Sequence, residues 1–440
     1  MIVKRGERDR PTFNSLQYLT RVKPHHIRKD PWNRTLLADL IGLDPVIEFG
    51  TYTRSFYTLE GHYDHLWNYD RIVMPRPKDP TLSLGIEATR RAFHLNTPAI
   101  SISWDRLADV LFIPTSGAGY GYIGKKAENG NQAKAISRAV GSLNHWIETC
   151  NHTAPTPFRF KPDLAWTRTQ LGSFESPKIR NVWGTAFENI LLEGMSAAPL
   201  IEKYQRNDSP TVIGSNMYKR LPDVINKALS DEGDPQIGIG LDFSKFDASL
   251  QPWMINIAFN ILRENVRFNS YHEEMAFEYS RYFFIHRPIV MPDGRMWMKH
   301  LGLPSGSYFT QLVSSVVNHL LISYAQLKIY GRVFKTWVLG DDSLFGIPLS
   351  YGYPDLPLFA RTLAVLGMTI HPDKSTVALR PEQLEFLGHC AKGTKVTRET
   401  ADLMRLALYP EYPINIILWD TSCTLLTENQ ANQVIEIKNG

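Results

Sequence analysis

The chain has 440 residues, enough to bury large cores in several subdomains, and its 43% apolar and 21% charged residues describe an ordinary soluble globular protein. Ten Trp, 21 Phe and 19 Tyr argue against extensive disorder, while a net charge of +4 and a pI near 8.7 permit nucleic-acid binding without demonstrating it. Cys150, Cys390 and Cys423 are too scattered for a disulfide framework or a zinc cage, no apolar run is long enough to span a bilayer, and MIVKRGERDR lacks the apolar core of a signal peptide.

From Met1 to about Leu111, short amphipathic pieces mix with Pro and aromatic residues and no chemistry is legible. His25 and His26, beside Arg28 and Lys29, read as a solvated basic surface. Next comes PTSGAGYGYIGKK, Pro114 to Lys126, in which Thr115 and Ser116 precede Gly117, Gly119, Gly121 and Gly124 and the run closes on Lys125 and Lys126. Glycines let a backbone approach a phosphate, and hydroxyls and lysines hold it. The run lacks the Lys-Ser/Thr ending of a P-loop, so contact with a polynucleotide backbone is expected instead.

Between Trp166 and Glu193, Arg168, Lys178 and Arg180 lie around a break at Gly172 to Pro177. The alternation of Lys178 and Arg180 suits a strand with both cations on one face. A triphosphate would neutralise them; a solvated edge that discourages aggregation is the alternative. QIGIGLD, Gln236 to Asp242, predicts a strand with an apolar face of Ile237, Ile239 and Leu241 and a glycine face open to a close neighbour. It ends in DFSKFD, which sets Asp242 at the strand end and Asp247 in the turn beyond, before a helix marked by Trp253, Ile257 and Leu262.

GLPSGSYFTQLVSSVVNHLLISYAQLKIYG predicts a helix with an apolar stripe at Leu312, Val316 and Leu320, stopped by Gly331. Thr310, Ser314 and Asn318 repeat every four residues on another face, and such short polar groups suit a partly buried face that recognises something. Ser305, Gly306 and Ser307 form the loop before it. TWVLGDDSLFGI, Thr336 to Ile347, reads as a β-hairpin with Asp341 and Asp342 at its tip. Two adjacent acids repel, at a cost a divalent cation would remove, although Gly-Asp-Asp is also a common solvated turn. A helix follows over Pro354 to Leu366, then Lys374 just past a short strand, and LEFLGH, Leu384 to His389, as a further strand. The order from Ile237 onward matches a split βαβ sheet with helices packed on one side.

In combination these motifs resemble viral RNA-dependent RNA polymerases, and within them the partitivirus type of double-stranded RNA virus. The resemblance runs through TSGAGYGY, PKIRNVWG, DFSKFD, LPSGSYFTQLVSSVVN, VLGDD, GMTIHPDKS and LEFLGH, in family order, over roughly Thr115 to His389. It implies an α+β right hand: N-terminal region and fingers over 1–195, palm over 196–255 and 301–386, a fingers insertion over 256–300 and a small thumb over 387–440. It implies Asp242 and Asp341 as ligands of two Mg²⁺ ions, with Mn²⁺ as a substitute, and Asp342 in support. Arg168, Lys178 and Arg180 would meet the nucleoside triphosphate, and Lys374 would act as general acid. Asp247, assisted by Ser305 and Thr310, would read the ribose 2′-hydroxyl. Many relatives carry Asn one turn after the Thr; here Ser314 stands there and Asn318 one turn further, so both remain candidate partners of Asp247. Thr115, Ser116, Gly117, Lys125, Lys126 and Gly306 would touch RNA. The implied partners are template RNA and its product duplex, ribonucleoside triphosphates and a viral capsid protein, with no membrane, in the host cytoplasm inside a virion.

Overall fold

The computed structural model describes residues 15–22, 52–54, 58–169, 171–173, 179–231 and 233–399. His25, His26, Lys178, Cys423 and the whole of 400–440, most of the expected thumb, lie outside the described residues. In chain order the main elements are β1 (Leu16–Arg21), α1 (Leu59–Trp67), α2 (Pro80–Ala92), α3 (Asn131–Cys150), β2 (Asp163–Thr169), β3 (Ile179–Gly184), α4 (Phe187–Arg206), α5 (Met217–Leu229) and β4 (Asp234–Leu241). There follow α6 (Pro252–Arg263), α7 (Tyr271–Ile285), β5 (Arg287–Val290), β6 (Arg295–Lys299), α8 (Thr310–Tyr330), β7 (Thr336–Leu339), β8 (Asp342–Pro348), α9 (Leu356–Ala364) and β9 (Thr376–Ala378). No helix among the described residues is long and apolar enough to cross a membrane.

One sheet has the order β7-β8-β4-β9, antiparallel throughout, with Ser343 opposite Leu241, Gly346 opposite Gly238 and Val377 opposite Ile239. Alternation along β4 decides its two faces. Ile237, Ile239 and Leu241 join Val338, Phe345 and Ile347 in a core filled by Val313, Val316, Val317 and Leu320 of α8. The glycines accept a closer neighbour: the end of α5 lies on Gly346 and Gly238, so that a Cβ on Gly346 would stand 2.0 Å from the Ala228 carbonyl oxygen. Backbone cannot swing aside as a flexible side chain can. Gly346→Ala is therefore expected to destabilise the fold by about 3 kcal/mol, the upper end of overpacking costs, read as a lowered urea midpoint.

Helix α8 runs through the centre and is buried from Leu312 to Gln326, polar residues included. Its left-handed cap is Gly331, at φ +72°. LEFLGH is not a strand. Phe386 and His389 bridge across a tight turn with Leu387 at φ +55° and Gly388 at φ +72°, because Leu384 and Phe386 are drawn into the core under the glycine face.

A second sheet, order β1-β6-β5-β2-β3, is antiparallel except for the parallel pair β5 and β2. It stands outside the expected βαβ order, and α7, β5 and β6 supply elements that the periodicity did not resolve. On it, Arg168 lies directly opposite Arg180. Helix α1 packs against this sheet through Tyr63 and Leu66, which share a core with Tyr69, Trp183, Ile289 and Trp297.

Candidate active site

Strand β4 delivers Asp242 immediately after its last paired residue, and the β7–β8 turn, with Gly340 at φ +65°, delivers Asp341 and Asp342 beside it. Helix α8 holds that turn by its backbone. The Gly340 N–H donates to Ser315 Oγ (3.1 Å), and Asn318 Nδ2 donates to the carbonyls of Gly340 (3.1 Å) and Asp342 (3.0 Å). Asp242 is tied from the other side: its N–H donates to Ser375 Oγ (3.1 Å) and its carbonyl accepts from the His371 N–H (2.9 Å). That second clamp brings up the turn Pro372–Lys374 and places Lys374 at the site.

Asp242, Asp341, Asp247, Arg180, Lys245 and Lys374 line one cavity of about 690 Å³. Asp242 and Lys374 also border a smaller one of about 60 Å³, whose walls include Asp342 and Glu385. Adjacent in sequence, Asp341 and Asp342 therefore face different spaces. Both reach solvent at the turn, yet the cavity walls crowd them. Burial, then repulsion from Asp341, Asp242 and Glu385, pushes Asp342 up to about 7. Burial and Asp341 push Asp247 up to about 6, against the pull of Arg180. Asp341 is also raised, by burial first and by Asp242, with its own backbone N–H and Arg180 opposing.

Among the described residues no three His, Cys, Asp or Glu side chains converge closely enough to cage a metal by themselves. Crowded, mutually repelling carboxylates beside an open cavity fit a hard divalent cation that keeps waters and takes phosphate oxygens to complete its shell. An acid raised in the folded state favours the fold at low pH and costs stability as pH climbs from about 4 through about 7. Protons also compete with a cation for the same oxygens. Divalent cations are therefore expected to raise the melting temperature more at pH 7.5 than at pH 5.5, which a thermal-shift titration at the two pH values checks.

The other expected site residues separate into groups. Arg180 reaches the cavity, and Arg168 is its exposed cross-strand neighbour on β2. Ser305 Oγ accepts from the Trp183 N–H (3.0 Å), and Gly306 packs so tightly on the Trp183 carbonyl that a Cβ would stand 1.8 Å from its oxygen. Thr310 Oγ1 donates to the Pro304 carbonyl, and Ser314 Oγ to that of Thr310. Neither Ser314 nor Asn318 hydrogen-bonds Asp247: Asn318 spends its amide hydrogens on the turn, and its Oδ1 is buried without a partner. The glycine loop folds on itself. Gly117 bridges Lys125, Lys126 Nζ donates to Ser116 Oγ (2.8 Å), and burial lowers the Lys126 ammonium. Thr115 opens this loop, whose Gly119 abuts Thr185 and Ala186 after β3, and none of its residues lines the cavity.

Sequence reasoning missed one wall altogether. Gly61, Asp64, His65 and Asn68 of α1 and its C-cap, followed by Tyr69, line the same cavity. Their spacing of three and four residues is the signal that picked out the polar row on α8. His65 is pushed down to about 4, by burial and then by Arg180, His62 and Lys245, so the wall presents a neutral imidazole.

A family model for viral RNA-dependent RNA polymerase matches residues 50–435. The chain belongs to that family. This polymerase-family chain is 33% identical over 149 residues to the RNA-directed RNA polymerase of Cryptosporidium parvum virus 1, covering 32% of its own length and 27% of that protein. It is 27% identical over 233 residues to the genome polyprotein of human hepatitis A virus genotype IB, covering 48% of itself and 9% of the polyprotein. It thus spans well under half the length of these relatives. Its fold is similar to the crystal structure of an insertion-loop deletion mutant of a human picobirnavirus RNA-dependent RNA polymerase, with a TM-score of 0.61, 17% identity, and 82% and 68% of the two chains covered. The α+β polymerase fold expected from the motifs is the fold observed. Members of the family use divalent metal ions.

Proposed function

We propose that this chain catalyses RNA-templated RNA synthesis for a double-stranded RNA virus, transferring nucleotidyl groups from ribonucleoside triphosphates to an RNA 3′-hydroxyl. One observation carries the reading: Asp242, Asp341, Asp247, Arg180 and Lys374 reach a single open cavity from four separate segments of chain. Asp242 and Asp341 would hold two Mg²⁺ ions, or Mn²⁺ in their place, with Asp342 in support. When bound, such ions activate the attacking hydroxyl and steady the leaving pyrophosphate.

The protein's own groups do the rest. Arg180, with Arg168 and Lys178, neutralises the triphosphate. Lys374 carries the proton that pyrophosphate takes up on leaving. Asp247, ionised at pH 7.5 and above, accepts a hydrogen bond from the ribose 2′-hydroxyl, a group that a deoxynucleotide lacks. Template and product RNA, a capsid protein, and a virion within the host cytoplasm complete the proposal.

The test is to mix purified protein with single-stranded RNA, Mg²⁺ and either ribo- or deoxyribonucleoside triphosphates. Template-length product from ribonucleotides alone is the expected result. Efficient deoxynucleotide incorporation, or RNA binding with no synthesis on primed and unprimed templates, would overturn it.

A further inference from the structure

We propose that Glu193 is a positioning residue that sets the loop 303–308, and through it the sugar-reading side of the cavity; this rests on the polymerase reading above. Glu193 projects from α4 into a site with no solvent exposure, an expensive place for a carboxylate. Its two oxygens have separate tasks. Oε1 accepts from Arg287 Nη2 (2.6 Å), while Oε2 accepts from Ser307 Oγ (2.8 Å) and the Tyr308 N–H (2.7 Å). The same guanidinium reaches Asp163 Oδ2 (2.9 Å) and Thr185 Oγ1 (2.9 Å), so its own position is fixed by two further elements.

The loop is gripped at its other end by the catalytic region. The Leu303 N–H donates to the Asp247 carbonyl (2.7 Å), and the Leu303 carbonyl accepts from Tyr69 Oη (3.2 Å). Midway, Ser305 holds the backbone of Trp183, on the strand that carries Arg180. These bonds come from outside the loop, and the loop can therefore pass a shift at Glu193 to Asp247. Apolar packing would stabilise the core equally well but could not hold a hydroxyl and a backbone N–H in one direction. Glutamine has the shape of glutamate but a single acceptor oxygen, so Glu193→Gln must give up either Arg287 or the bond from the Tyr308 N–H that fixes the loop backbone. Ser307→Ala removes the bond to Glu193 and the local bond that Ser307 Oγ accepts from the Phe309 N–H (3.2 Å), and leaves the ion pair intact.

The experiment compares wild type, Glu193→Gln, Ser307→Ala and Ser307→Thr by hydrogen exchange of the 303–308 amides, melting temperature, and steady-state incorporation of ribo- and deoxyribonucleotides on a primed template. Expected for the first two variants is about tenfold faster exchange in the loop and about tenfold weaker preference for ribonucleotides, expressed more in KM than in kcat, with recovery in Ser307→Thr. Ser307→Ala should keep its melting temperature within a few degrees, and it carries the test alone if Glu193→Gln does not fold. Unchanged loop exchange would overturn the proposal, as would unchanged sugar preference beside a lowered melting temperature. If wild type makes no RNA, the polymerase reading falls, and loop exchange still decides whether Glu193 sets the loop.

Discussion

Asp341→Ala is expected to lower RNA synthesis at least about 10³-fold, roughly 4 kcal/mol of transition-state stabilisation, while leaving the fold intact. The turn tolerates the change because its anchors are backbone groups: Ser315 and Asn318 hold Gly340 and Asp342 without using the Asp341 carboxylate. Electrostatics give the variant a further signature. The Asp341 charge helps to raise both Asp342 and Asp247, so removing it lets both ionise at lower pH. Without metal, the variant should melt at or above the wild-type temperature near neutral pH. Its gain in melting temperature with Mg²⁺ should shrink or vanish. Activity lost together with a collapsed melting temperature would place Asp341 in the fold instead of the chemistry.

Local pattern carried the turn that bears Asp341 and Asp342. Alternating apolar residues on either side of Gly340-Asp341, and the strand before Asp242, are short-range signals, and pairing in register follows once both strands are placed. The glycine face of β4 was legible for the same reason, since Gly238 and Gly240 announce a close neighbour without naming it. What stayed hidden depends on distant partners. Asn318 resembled a ligand contact in the sequence, but the turn that returns to α8 consumes its amide hydrogens. Leu384 and Phe386 have the spacing of a strand, and burial under the glycine face of β4 bends them into a turn. The α1 wall lay in a stretch that showed no chemistry, because its polar row acquires meaning only beside Arg180 and Asp247. Asp163, Glu193 and Arg287 would each pass for a surface charge until the fold joins them.

That junction is where a single substitution should cost the most stability. Arg287 is fully buried between Asp163 and Glu193, its guanidinium 4.0 Å from the centre of the Phe283 ring. Burial opposes its charge, and the two carboxylates more than offset that, holding it above its ordinary value. Arg287→Met keeps much of the volume and strands two buried acids. The expected loss is about 3–5 kcal/mol, a large part of the roughly 5–15 kcal/mol that typically holds a domain together. Burial already pushes Asp163 and Glu193 upward with Arg287 present, and without it they should protonate more readily still. The deficit in urea unfolding should therefore narrow from pH 7.5 to pH 5.5, and adding Asp163→Asn with Glu193→Gln should recover much of it. A deficit of equal size at both pH values would assign the loss to packing against Phe283. Because the three partners sit on β2, α4 and β5, far apart in sequence, a charge-driven loss should appear as one cooperative shift of the whole transition and not as fraying of a single segment.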